Sequence, residues 1–129
     1  MGFRLKTSKQ TKDIFEELGA SINLKPFALS KLAIALSIQS EEDIKDYKSD
    51  VNGLELQRST ITGQYDTIYR CLLEQNANKH LTDDEYFPEY TKKHIDRGAK
   101  LLIDKFKYSS GKNLEGLIKS LLKEGNGDL

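Results

Sequence analysis

The side chains able to do chemistry are few and scattered. The two histidines, His80 and His94, stand alone, with no second histidine one helical turn away. The single cysteine, Cys71, excludes an intrachain disulfide and leaves no converging set of ligands at zinc spacing. A nucleophile–base pair of Cys71 with either histidine lacks any motif. Cys71 also sits in the apolar run Ile68-Tyr69-Arg70-Cys71-Leu72-Leu73, where a buried, inert thiol is expected. Asp83-Asp84-Glu85 has the charge to hold a hard cation, but behind Thr82 it reads as the first turn of a capped helix, where carboxylates complement the helix dipole. No GxxxxGK[ST] loop and no GxGxxG fingerprint offers a seat for a nucleotide. The expectation is therefore no catalytic residue, no metal and no cofactor, in a protein that works by binding.

What it binds is suggested by its charge. The chain has 129 residues, with 20 Lys plus Arg balanced by 20 Asp plus Glu. The balance is segregated: residues 1–31 sum to +3 (six basic, three acidic), 32–58 to −3 (three, six), 59–91 to −4 (two, six) and 92–129 to +4 (nine, five). Basic ends attract polyanions, while an acidic middle repels them or meets a basic protein. Arg4, Lys6, Lys9 and Lys12 cluster at the start. Lys92, Lys93, Arg97, Lys100, Lys105 and Lys107 fall on one later helical stretch, where spacings of three, four and seven put Lys93, Arg97 and Lys100 on a common face.

These groups must be positioned by short elements. Phe3-Arg4-Leu5-Lys6 alternates as a strand with one wet face, Phe3 and Leu5 inward, and needs a neighbour to pair with. Thr7-Ser8-Lys9-Gln10 fits a capping box for a helix with Thr11, Ile14, Phe15 and Leu18 on one stripe, ended by Gly19. Pro26 opens a second helix to about Gln39 that is apolar nearly all round and so buried on most sides. Residues 40–50 are an acidic loop or short surface helix, and residues 51–56 a turn followed by an irregular or extended piece.

A helix after Gly63 is predicted to turn Tyr65, Ile68, Tyr69, Leu72 and Leu73 inward until Asn76-Ala77-Asn78 breaks it. Another runs from Pro88 to about Tyr108 with Ile95, Leu101, Leu102 and Phe106 inward. After the turn Ser109-Ser110-Gly111, a last helix capped by Asn113 carries Leu114, Leu117, Ile118, Leu121 and Leu122. The longest wholly apolar run, Leu32 to Leu36, is far short of a membrane span, and no signal peptide is visible, so a soluble cytoplasmic protein is expected.

The fold class is mainly α: one helical domain over 1–129 with a short N-terminal strand. Residues 1–39 follow the strand–helix–helix order of ribbon-helix-helix proteins, in which two chains pair their strands and insert the ribbon in the major groove. The alternative is an edge strand packed on its own domain. Residues 40–124 add further helices and 125–129 should fray.

The run Gly53-Leu54-Glu55-Leu56-Gln57-Arg58-Ser59-Thr60-Ile61-Thr62-Gly63-Gln64-Tyr65-Asp66 closely resembles the central signature of the DndE family of DNA phosphorothioation proteins. Phe3-Arg4-Leu5 with Ile14 and Leu18 is similar to that family's opening. Tyr86-Phe87-Pro88, His94-Ile95-Asp96-Arg97-Gly98 and Leu101-Leu102 are similar to its downstream helix. Gln57 and Gln64 stand where Asn and Glu are expected, and from Gly116 onward nothing matches. The resemblance implies a helical fold related to ribbon-helix-helix proteins, a homotetramer, and binding to duplex DNA, preferably nicked, through surface lysines. It implies that the sulfur chemistry belongs to partners: a cysteine desulfurase, an iron–sulfur pyrophosphatase-like enzyme and an SMC-like ATPase.

On the residues themselves, Arg58 is the only basic side chain between Lys48 and Arg70, so pairing with Glu55, Asp66 or a neighbouring subunit suits it better than phosphate. Gly53, Arg58, Thr60 and Gly63 are thus read as a structural or oligomer motif, with Ser59, Thr60 and Thr62 able to cap the next helix. DNA contact is expected at Arg4, Lys6, Lys9, Lys12, Lys93, Arg97 and Lys100. Three functions compete: a non-enzymatic DNA-binding accessory subunit, a ribbon-helix-helix repressor reading bases through Arg4 and Lys6, and an assembly protein whose acidic middle docks a partner ATPase.

Overall fold

The computed structural model describes residues 2–109 and 113–125. Strand β1 (Arg4–Lys6) leads into α1 (Lys9–Ile22) and α2 (Pro26–Gln39). A loop follows, then β2 (Glu55–Gln57), α3 (Arg58–Ile61), a 3₁₀ turn at Gly63–Tyr65, α4 (Asp66–Ala77), a kinked segment at Glu85–Tyr90 with Phe87 extended, α5 (Thr91–Lys107) and α6 (Leu114–Gly125). The fold is mainly helical with one small sheet.

The neighbour β1 requires comes from its own chain. β1 and β2 pair antiparallel with Leu5 opposite Leu56, both buried, while Arg4, Lys6, Glu55 and Gln57 face out. Phe3, expected inward, is 64% exposed, because the ladder starts at Arg4 and Phe3 contributes its carbonyl to the Arg58 N–H. Gly53 presses against the end of β1: its N–H donates to the Thr7 carbonyl at 2.8 Å, and a Cβ there would collide with the Ser8 carbonyl and the Thr7 hydroxyl.

Ser8 is the N-cap of α1 and accepts from the Thr11 N–H at 3.0 Å. The cap thus reaches Thr11, one residue past the Gln10 position of the expected box. Gly19 does not end the helix. α1 continues to Ile22, and Asn23, in the left-handed conformation that asparagine tolerates, donates its N–H to the Gly19 carbonyl. Pro26 opens α2 as expected. The box at the second site forms in full, Thr82 and Glu85 each accepting from the other's N–H.

The centre of the molecule is α5, with α2 packed closely along it. Gly98 makes that approach possible, since a Cβ there would run into the Ala33 backbone. His94 through Ala99 are all buried, so the first half of α5 is enclosed on every side. Leu102, Ile103 and Phe106 continue the core, joined by Phe15, Leu18, Leu29 and Ile34.

Two helical faces read as core are on the surface. In α4 only Leu73 is buried; Tyr65, Ile68 (57% exposed) and Leu72 lie outside, and Cys71 is exposed rather than buried. In α6, Leu117 seats against the body while Leu114, Ile118 and Leu122 are exposed; the Leu121 side chain lies outside the described residues. So do Ser110 and Gly111 of the expected turn and residues 126–129 of the expected tail. Asn113 does cap α6, accepting from the Gly116 N–H at 2.8 Å. α2 is less enclosed than its composition suggests, with Lys31 and Ala35 exposed.

Among the described residues no single helix is long and apolar enough to cross a membrane. α1 and α2 reach that composition only as a pair bent by 110°.

Candidate nucleic-acid interface

The buried carboxylate of Asp96 organises one corner of the protein. It receives the Ser8 N–H at 3.0 Å, the Thr11 hydroxyl at 2.7 Å, and the ammonium of Lys92, one turn earlier on α5, at 2.6 Å. The Ser49 hydroxyl donates to its second oxygen. A charge fully removed from water needs such a set of donors, and the set comes from three places: the start of α1, the 40–50 loop and α5. Beside it, Asp50 accepts from the backbone N–H groups of Lys9 (2.8 Å) and Asn52 (2.9 Å). These bonds, Asn52's first, hold its carboxyl below the usual range.

The consequence is a gathering of cations from distant sequence. Lys48, Lys92 and Lys93 line a cavity of about 310 Å³ together with Tyr47, Ser49 and Glu89. Lys93 lies over the Tyr90 ring and donates to the Lys45 carbonyl at 2.6 Å, so α5 fastens the loop from which Lys45 and Lys48 project. Lys100, exposed, lies over the Tyr47 ring on the next cavity, of about 470 Å³. Lys9 enters the same corner through Asp50.

Of the residues expected to contact DNA, Lys9, Lys93 and Lys100 are therefore brought into one region. Lys12 is half-buried on α1. Arg4 and Lys6 stand on the outer face of β1, where Arg4 pairs with Glu55 at 3.6 Å. Lys9 pairs with Asp13 at 3.0 Å, which raises its pKa; the pair is exposed and open to competition from phosphate.

Arg97 belongs elsewhere. It is 8% exposed and spends its guanidinium on Ser37 Oγ (2.8 Å), the Ser37 carbonyl (2.7 Å) and the Glu42 carbonyl (2.7 Å). It thereby supplies a cation to the C-terminal end of α2, which has none of its own. Burial lowers its pKa, partly offset by Glu42, Tyr47 and Asp43; a guanidinium nevertheless stays charged. Ser37 Oγ also lies 2.7 Å from His94 Nδ1, while His94 Nε2 is buried with no hydrogen-bond partner among the described residues. Burial first, then Arg97 and Lys93, pushes the His94 pKa down to about 3.

Spacing missed Lys45 and Lys48 because they stand in a segment whose net charge is acidic. Their signal was their spacing of three within that segment.

The central run is a separate structural unit. Arg58 forks onto Asp66 (2.8 and 3.0 Å) and Asp83 (2.9 and 3.2 Å), donates to the Gly2 carbonyl, and lies over the rings of Tyr86 and Phe87. Asp66 also accepts from Tyr86 (2.9 Å) and Thr62 (2.6 Å). Hydrogen bonds from Arg58 above all hold its pKa down to about 2. Gly63 takes a left-handed turn (φ 49°) at the entry to α4, and Thr60 is exposed on α3. Thr62 stands at the N-cap position of the Gly63–Tyr65 turn but makes no side-chain cap hydrogen bond there; its hydroxyl bonds the Arg58 carbonyl and Asp66 instead. Among the described residues, no group of three or more His, Cys, Asp or Glu is placed to hold a metal ion.

Residues 4–110 match the family model of DndE, DNA sulphur modification protein. None of the curated proteins compared matches the chain. The fold resembles the crystal structure of DndE from Escherichia coli B7A involved in DNA phosphorothioation modification, with TM-score 0.64 and 21% identity over 79% of this chain and 97% of that one. It also resembles a crystal structure of a glycine-to-lysine mutant of DndE involved in DNA phosphorothioation, with TM-score 0.61 and 22% identity over 81% and 99%.

Proposed function

This chain belongs to the DndE family of DNA sulphur modification proteins, and from that premise we propose that it is a non-enzymatic, DNA-binding accessory subunit of bacterial DNA phosphorothioation. It works in the cytoplasm as an oligomer, by the family resemblance a homotetramer, holding duplex DNA, with nicked duplex preferred, for the proteins that carry out the sulfur chemistry. Those partners are the pyrophosphatase-like and SMC-like ATPase components.

The observation that carries this reading is the corner at Asp96. Lys9, Lys45, Lys48, Lys93 and Lys100 come from three segments to one region, held by hydrogen bonds that do not consume the exposed ammonium groups of Lys48 and Lys100. Exposed lysines on a hydrogen-bonded frame suit phosphate contact, which positions DNA without reading sequence.

The repressor alternative needs β1 to form its ribbon with a second chain, and β1 already spends one edge on β2. The proposal is tested by a mobility assay on intact and nicked duplex, comparing the wild-type protein with Lys45→Glu/Lys48→Glu and Lys93→Glu/Lys100→Glu. Weaker binding by both variants on every duplex sequence supports it. Unchanged binding, or binding confined to one operator sequence, overturns it.

A further inference from the structure

We infer that α6 is a docking helix whose exposed stripe, Leu114, Ile118 and Leu122, seats in the apolar groove between α2 and α4 of a second copy of this chain. This rests on the oligomeric part of the reading above and goes beyond it, adding a contact outside the portion the family shares.

The groove has a volume of about 290 Å³ and is walled by Ile34, Ala35 and Ile38 of α2 and by Ile68, Tyr69 and Leu72 of α4. Ile68 (57%) and Leu72 (38%) are too exposed for a helix face that had found its core. The matching surface lies on the same chain. Leu114, Ile118 and Leu122 recur every four residues, the spacing of a helix laid in a groove, and Ile118 and Leu122 are 45% and 59% exposed. Lengths agree: at about 1.5 Å per residue the stripe from Leu114 to Leu122 spans about 12 Å, and the α2 wall of the groove from Lys31 to Ile38 about 11 Å.

Charge sets the direction. Lys31 stands at one end of the groove and Glu41 and Glu42 follow the other end of α2. Glu115 and Lys119 pair with each other at 3.2 Å, on an exposed surface where such a pair is cheaply exchanged. They flank the α6 stripe in the same order, so α6 parallel to α2 brings Glu115 to Lys31 and points Lys119 at the acidic end. The reverse direction sets Lys119 against Lys31.

The contact forms between copies. Leu117, fully buried, holds α6 on α5 and turns the stripe outward, so α6 cannot enter its own groove without unseating Leu117. A stable interface buries roughly 1,200–2,000 Å². One 12-residue helix falls short of that, whereas two copies exchanging α6 reciprocally double the area. The stretch matched by the family model ends at residue 110 and α6 begins at Leu114, so this contact is an addition to the portion the family shares.

The test is sedimentation velocity on the full chain, its Ile118→Glu/Leu122→Glu and Ile68→Glu/Leu72→Glu variants, and an equimolar mixture of the two. Each variant alone should associate at least tenfold more weakly than wild type. The mixture should associate more tightly than either variant alone and more weakly than wild type, because it restores one of the two reciprocal contacts. Loss in one variant only, no loss in either, no recovery on mixing, or a monomeric wild type overturns the proposal.

Exposed Cys71, beside Leu72, provides an independent readout. Ile118→Cys should form covalent dimers under mild oxidation and lose them when combined with Cys71→Ser. Dimers that survive Cys71→Ser report α6 against α6 and overturn it. The lysine corner uses neither surface, so intact DNA binding by both glutamate variants would leave the functional reading standing whatever becomes of the docking contact.

Discussion

Thr11 donates its hydroxyl to the carboxylate of Asp96 at 2.7 Å, tying the first turn of α1 to the enclosed half of α5 across 85 positions of chain. That bond and its neighbours make one rigid corner from three segments. The carboxylate at its centre is fully buried and holds Lys92 among its partners.

Replacing Asp96 with Ala should be severe. It leaves the Lys92 ammonium and the Ser8 N–H without their acceptor, a loss of about 3 kcal/mol for a broken buried pair. Thr11→Val, which removes one hydroxyl, should cost about 1 kcal/mol. Urea unfolding of both variants, read as a shift in midpoint, checks the ranking; equal effects would contradict it.

Gly98→Ala tests the close crossing of α2 and α5. The added methyl meets the Ala33 backbone, which cannot rotate away as a side chain would. Overpacking of this kind costs about 1–3 kcal/mol and at times more, and thermal melting should report it. Gly63→Ala meets no neighbouring atoms, but its left-handed φ of 49° should still cost about 1 kcal/mol.

His94 is held neutral, its pKa pushed from 6.5 to about 3 by burial and by Arg97 and Lys93. A depressed folded pKa means its contribution is whole above the unfolded value and is lost as pH falls. Stability should therefore decline by about 1.4 kcal/mol per pH unit below 6.5, toward pH 3. His94→Gln should flatten that slope between pH 6 and 4.5, measured by urea unfolding across the range.

Asp66 governs a lower window. Its folded pKa of about 2 against 3.8 means that the Arg58 pairing contributes fully above about pH 4 and is lost between there and pH 2. The difference corresponds to about 2 kcal/mol. Asp66→Asn should lose that acid limb and leave the His94 window unchanged.

The sequence made the element order readable, because caps and breakers act locally: Pro26, Asn78, Thr82 and Asn113 all sit at the helix ends they announce, and the first cap falls one residue past its expected box. Periodicity found faces but could not say what each face meets. The Lys93–Arg97–Lys100 spacing holds, yet Arg97 lies where α2 covers α5 and turns to the Ser37 carbonyl. Ile68 and Leu72 share an apolar stripe that faces the groove, while on α4 only Leu73 is fully buried. Asp96 stood in plain view within a resembling motif. Its role depends on Ser8, Thr11 and Ser49, whose convergence exists only in three dimensions.

The most direct measurement of the central claim is the salt dependence of duplex binding by fluorescence anisotropy, for the wild-type protein and for Lys48→Gln/Lys100→Gln. Log affinity should fall linearly with log salt, and the variant's slope should be shallower by about 0.9 for each phosphate contact removed, on intact and nicked duplex alike. A variant with the wild-type slope and affinity would contradict the assignment of DNA to this corner.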